Sequence, residues 1–272
     1  TPHSLFPSLF IFISRVPLPP ISCVCTVIRA HMLEASLEAD PRPEHPKAKV
    51  FHDLEFAGKG VTPGNPPLRV PGLSTLCTFY RDVFNKSQME MECIIMSLVY
   101  MERLTRVTEG GVQVRPYNWQ SLMVSAMIMS SKVWDDLSMW NADFSQVCQS
   151  FTLKRINELE LALLEFLQYS VKVTASDYAK YYFHLRSYSA RLGLVDQSDA
   201  RLSPLNMTGA KKLAVLSKGY EKEAKAAMKA RCSTMPAPSS TPVTGAGLSL
   251  LSPSAHQGGG GGIVSGSGGG CG

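Results

Sequence analysis

The side chains that could do chemistry are few. Asp135 and Asp136 stand side by side in "SSKVWDD", and paired carboxylates suit acid–base work or a hard metal ion. Neither use finds partners here. The six histidines, at 3, 31, 45, 52, 184 and 256, fall at no zinc or triad spacing. The seven cysteines, at 23, 25, 77, 93, 148, 232 and 271, form no CxxC pair. That argues against a zinc site, and their odd number argues against a disulfide framework. The glycine runs near the end lack the Lys-Ser/Thr of a phosphate loop. The chain therefore reads as no enzyme, with no metal and no cofactor. The two aspartates read as a helix-terminal turn, and the thiols as reduced and intracellular, in cytoplasm or nucleus.

One cation is harder to dismiss. Lys132 closes the most apolar run of the chain, "LMVSAMIMSSK". A helix apolar all round must be surrounded by other helices. A lysine at its end ordinarily complements the helix dipole, worth about 0.3–1 kcal/mol. Glu160, beyond Lys154 and Arg155, would ordinarily be one more solvated carboxylate.

The elements that must position these residues follow from periodicity, which is helical throughout 72–231. A first helix is expected over 73–86, with Leu76, Phe79, Tyr80, Val83 and Phe84 on one face. Ser87-x-x-Glu90 reads as a capping box that opens a second helix to Val107, and "EGG" at 109–111 ends it. The apolar helix starts after Pro116 with Asn118 as N-cap. A short helix over 142–150 and a fifth over "LKRINELELALLEFLQY" follow. Thr174-x-x-Asp177 starts another, and a last one, rich in alanine and lysine, begins near Thr208. The expected fold is all-α, one central helix ringed by four neighbours. Cys93 and Cys148 lie on apolar faces, where a thiol behaves as a small hydrophobe.

Composition sets the boundaries. Residues 1–71 read as a poorly ordered N-terminal segment and proline-rich linker, 72–190 as the core domain with a following helix, 191–231 as a basic C-terminal helix and 232–272 as a disordered Gly/Ser/Pro tail. The apolar run at Leu9–Ile13 is too short to span a bilayer. The helix at 209–231 carries seven Lys/Arg against two Glu, an excess equal to the whole chain's +5. A solvated helical face explains it best, and nucleic-acid binding is not favoured.

The five-helix order, with "SSKVWDD" closing the third helix, resembles a cyclin box. The likeness tightens over "NWQSLMVSAMIMSSKVWDDLSMWNADFSQVCQSFTLKRINELELALLEFLQYSVKVTASDYAKYYFHLRS", residues 118–187. That stretch looks like the cyclin Y group, single-box cyclins related to the yeast phosphate-pathway cyclins. The resemblance implies a non-enzymatic regulatory subunit that activates a cyclin-dependent protein kinase of the PFTAIRE/PCTAIRE-like group. It implies that Lys132 and Glu160 face the kinase and bond main-chain groups of its C-helix segment. Three lysine donors and the glutamate acceptors suit them to grip both ends of a backbone segment. Trp134, Asp135, Asp136, Glu165 and Phe151, at the ends of the same helices, are the further kinase-binding residues expected. A cell-cycle role comes with the family name. The family's lipidated Met-Gly start has no counterpart at Thr1, so membrane association does not carry over unless a missing N-terminus is lipidated.

Two other partners come from the residues themselves. Arg231 stands three before Thr234 and Pro236 two after, which makes Thr234 a candidate phosphosite for a 14-3-3 protein. The rival reading of the whole is a cyclin-fold adaptor that binds nucleic acid or transcription machinery through the basic C-terminal helix. Such adaptors need a second five-helix repeat, and too little helical sequence follows residue 170 to build one.

Overall fold

A helix without a polar face is stable only inside a ring of others, and the chain is built on that requirement. The computed structural model describes residues 19–38, 43–53, 69–191 and 204–234. In chain order the elements are α1 (Pro19–Leu37), a 3-10 turn (Pro46–Phe51), α2 (Leu73–Lys86), α3 (Glu92–Val107), α4 (Trp119–Trp134), α5 (Asn141–Val147), α6 (Leu153–Phe166), α7 (Ala175–Arg191) and α8 (Met207–Thr234). Among the described residues no strand occurs, so the all-α expectation holds. Helix α4 buries 14 of its 16 residues and packs on α3 along its longest seam, then on α6, α8 and α2. Its serines do not disturb that burial. Ser125 donates back to the Ser121 carbonyl at 2.6 Å and Ser130 to that of Met127 at 2.8 Å.

The N-terminal segment differs most from expectation. Residues 1–71 read as poorly ordered, yet α1 buries Ile21, Val24, Cys25, Ile28, Met32 and Ala35 in the common core. Those positions repeat at three- and four-residue spacing, an amphipathic stripe that the search for an unbroken apolar run passes over. Helix α1 packs on α2, α7 and α3. Arg115 donates to the Ala35 carbonyl at 2.6 Å, satisfying one of the free carbonyls at its C-terminus. His31 meets Glu102 of α3 at 3.2 Å. Residues 1–18, and the tail expected beyond residue 234, lie outside the described residues.

Two caps also differ. Ser87 and Glu90 form no capping box. Ser87 ends α2, its N–H donating to the Val83 carbonyl, and α3 begins only at Glu92. Asn118 does precede α4, but its side chain accepts from Arg115 N–H and donates to the Gln113 carbonyl. The cap comes instead from the segment read as linker. Asp53 accepts from Ser121 N–H at 2.8 Å and Gln120 N–H at 3.3 Å. Arg155 of α6 fixes this segment by donating to the His52 carbonyl at 2.7 Å. By contrast Thr174 and Asp177 open α7 with the expected reciprocal bonds. Helix α8 runs to Thr234, three residues past its expected end, because good helix formers continue and the first breaker is Pro236.

Asp53 is 2% exposed, and burial pushes its carboxyl up to about 6 against the pull of its capped N–H groups and Arg155. Between its ordinary value and 6, the folded chain holds a proton that the unfolded chain releases. Stability should therefore fall as pH rises through that window, by up to about 3 kcal/mol. Urea unfolding across pH 4–7 should show this slope in the wild type and lose it in Asp53→Asn, which still caps. Asp53→Ala, which does not, should lose about 1–2 kcal/mol.

Candidate functional site

The end of α4 carries its one basic side chain into the interior. Lys132 Nζ lies 2.5 Å from Glu160 Oε1 of α6, with the two side chains 5% and 2% exposed. A charge pair so deep needs further bonds to offset its lost hydration. Asn141, at the start of α5, donates to Glu160 Oε2 at 2.6 Å and to Asn157 at 2.7 Å. The Tyr220 hydroxyl of α8 donates to Glu160 Oε1 at 3.2 Å. Burial and the adjacent carboxylate push the Tyr220 phenol well above its usual range, so it stays protonated and remains a donor. Four helices thus converge on one carboxylate. The buried Asn141 Oδ1 has no partner, and two of the three ammonium donors of Lys132 remain for a partner beyond Glu160.

A second cluster sits beside the first. Trp134, 2% exposed, donates its indole N–H to Glu90 at 2.6 Å. Lys212 of α8 lies over the indole ring, 4.8 Å from its centroid, and pairs with Glu90 at 3.6 Å and Asp136 at 3.4 Å. Asp135 staples the end of α4 to the start of α3, accepting from Ser131 Oγ at 2.6 Å and Glu90 N–H at 3.2 Å. Its carboxyl is raised by burial and pulled back by those bonds. A shallow acidic depression lined by Glu90, Asp135, Asp136, Leu137 and Met139 opens next to it, and Leu137 is 94% exposed.

Of the seven expected binding residues, five fall together: Lys132, Glu160, Trp134, Asp135 and Asp136. The other two do not. Phe151 is 4% exposed in the core cluster and offers no free surface, because the turn into α6 packs it inward. Glu165 is exposed but lines a different groove with His45, Lys47 and Phe166. It follows Glu160 by five residues, which turns it roughly 140° around the helix. Thr234 ends α8, and its side chain lies outside the described set. Asn141, Tyr220 and Lys212 went unnoticed in the sequence. The only local signal was the spacing of Tyr220, seven residues after the apolar Leu213, which says that it faces inward without saying toward what.

Among the described residues no group of acidic, histidine and cysteine side chains could hold a metal ion, and no helix is long and apolar enough to cross a membrane. Cys93 and Cys148 are buried free thiols, as are Cys23, Cys25 and Cys77.

Residues 67–172 match the family model of the cyclin N-terminal domain. That stretch is similar to a cyclin box. The matched span contains α2 to α6 entire, so the Lys132–Glu160 pair and the Trp134 cluster belong to the box, whereas Lys212 and Tyr220 reach it from outside. The family is regulatory and non-enzymatic, and a cyclin box supports a regulatory role of that general kind, with a kinase as the general type of partner.

Removing one member of a buried pair strands the other. Lys132→Ala alone should destabilise the chain by about 3–5 kcal/mol, whereas Lys132→Met with Glu160→Gln should cost much less. Urea denaturation of the three proteins checks this, and a double variant as damaging as the single one would show that the pair is not coupled.

Proposed function

We propose that the chain is a cyclin Y-like regulatory subunit that docks on the C-helix of a PFTAIRE/PCTAIRE-like cyclin-dependent kinase and activates it. The observation that carries the reading is the Lys132–Glu160 pair, held at the junction of α4, α5 and α6 inside the box. Its geometry is fixed before any partner arrives, so little ordering is left for binding to supply. Donors remaining on Lys132 and the free acceptor of Asn141 are what a stretch of kinase main chain would engage. Asp135 and Asp136 flank that point, and Trp134, 2% exposed beneath Lys212, would serve as an aromatic anchor once that lysine moves aside. Docking would act by population shift: the kinase C-helix is held where its own lysine–glutamate pair forms. The chain itself contributes position and no chemistry.

The adaptor reading has one observation in its favour, the outward cations Lys218, Lys222, Lys225 and Lys229 of α8. They lie outside the matched box, and Lys225 is already paired with Glu221. A 14-3-3 protein reading phosphorylated Thr234 is a separate proposal that rests on the spacing of Arg231, Thr234 and Pro236.

Recombinant PFTAIRE-type kinase, assayed on a peptide substrate with the full chain, tests the reading. Wild type should activate it. Lys132→Met/Glu160→Gln, shown by its unfolding curve to be folded, should bind at least about 30-fold more weakly, as loss of a central anchor does. Equal binding by both would sink the reading, and steeply salt-dependent retention on DNA would favour the adaptor.

A further inference from the structure

The face proposed for the kinase is already covered, and the cover is the chain's own C-terminal helix. Tyr220 of α8 donates to Glu160 at 3.2 Å, the place where a main-chain N–H of a partner would donate. Eight residues earlier, Lys212 caps the Trp134 ring and neutralises Glu90 and Asp136. One helix thereby engages both clusters, and it comes from outside the matched box. We infer that α8 is a self-occluding strap, whose displacement exposes Lys132 and Glu160 to the kinase.

The way α8 is held suits a removable element. Its buried side chains are Leu213, Ser217, Tyr220 and Ala224, a single stripe at helical spacing along 28 residues. Two of those four are too small to bury much apolar area. By comparison α3 buries ten residues out of 16. Ser217 satisfies its hydroxyl within the helix, on the Leu213 carbonyl at 2.6 Å, so release leaves it no orphan. Beyond that stripe, Leu205 packs on the core just ahead of α8 and Lys212 lies over Trp134. The hydrogen-bonded and ionic ties can be replaced by water: Lys212 on Glu90 and Asp136, and Glu221 accepting from Lys172 N–H at 3.3 Å. The covered site, meanwhile, keeps one bond unmade. Asn141 is 2% exposed and its Oδ1 has no partner while α8 is in place.

This inference rests on the docking reading for its consequence, and the test separates the two. Full-length chain is treated with an amine-acylating reagent, and labelling at Lys132 is compared with that at Lys154, 85% exposed. In wild type Lys132 should react at least about tenfold more slowly, as burial under a seldom-opened segment demands. Leu213→Asp/Ala224→Asp, which puts charge into the buried stripe, should release α8 and speed Lys132 labelling while amides 119–134 keep their exchange protection. The same variant should bind recombinant PFTAIRE-type kinase about ten- to a hundredfold more tightly, the gain expected when the competent state was 1–10% populated. Tyr220→Phe, which keeps the stripe and removes only the hydroxyl, should fall between. The strap is overturned if wild-type Lys132 reacts as fast as Lys154, or if Lys132 stays protected in a form whose α8 amides have opened. It is also overturned if Lys132 opens and a kinase that binds wild type gains nothing. If Lys132 opens on release but no form binds the kinase, the strap stands and the docking reading falls.

Discussion

Burying one ammonium group organises much of the molecule. Lys132 sits at the end of a helix that has no polar face, so its side chain must either escape to water or find a carboxylate inside. It finds Glu160, and the carboxylate in turn needs donors for both of its oxygens. Asn141 and Tyr220 supply them. The result ties the end of α4 to the middle of α6, the start of α5 and the middle of α8. Each of those helices is placed by apolar packing, but their rotation about their axes is pinned by this one ion pair. A polar core contact of this kind adds little net stability. What it contributes is a single allowed register among helices whose apolar stripes could slide.

The ring around α4 is completed by pieces that lie outside the five-helix box. Asp53 caps α4 from a segment nearly seventy residues earlier, and α1 lays an amphipathic stripe against α2, α3 and α7. Burial of the Asp53 carboxylate opposes its ionisation, yet the two N–H groups it caps would otherwise be orphans at the start of a fully enclosed helix. Rigid support of this sort matters for a protein whose proposed work is to hold another one still. A docking pair mounted on two packed helices loses little freedom on binding, unlike one carried on a loop.

The same rigidity gives α8 its significance. A helix that merely extended the core would be expected to bury a wide apolar face. Helix α8 presents a narrow one, along with two polar hooks placed on the two clusters proposed to meet a partner. Regulation by a weakly held segment of the same chain needs only that the held and released states differ by a few kcal/mol. An interface of Leu213, Ser217, Tyr220 and Ala224 is of the size that allows it.

From residue 73 on, the sequence by itself determined the helices and their order: the periodicity of 73–107, the all-apolar run of 119–134 and the Thr174/Asp177 cap are local patterns, set by 3.6-residue geometry and by bonds within a few residues, whereas α1 went unread. That Lys132 and Glu160 belong together was legible only through the resemblance to a cyclin box, carried by "SSKVWDD" and the run that follows. Tertiary structure alone decided what those residues touch. Nothing local distinguishes a glutamate facing Lys132 from Glu165, five residues on and facing a different groove, or shows that Phe151 turns inward. Nor does any local pattern say that the cap of α4 is Asp53 rather than the adjacent Asn118. The cover supplied by Tyr220 and Lys212 is the extreme case, because it joins residues 60 and 76 positions away from their partners. Such contacts depend on how whole helices pack, a sum over many weak apolar interactions that no short stretch of residues encodes.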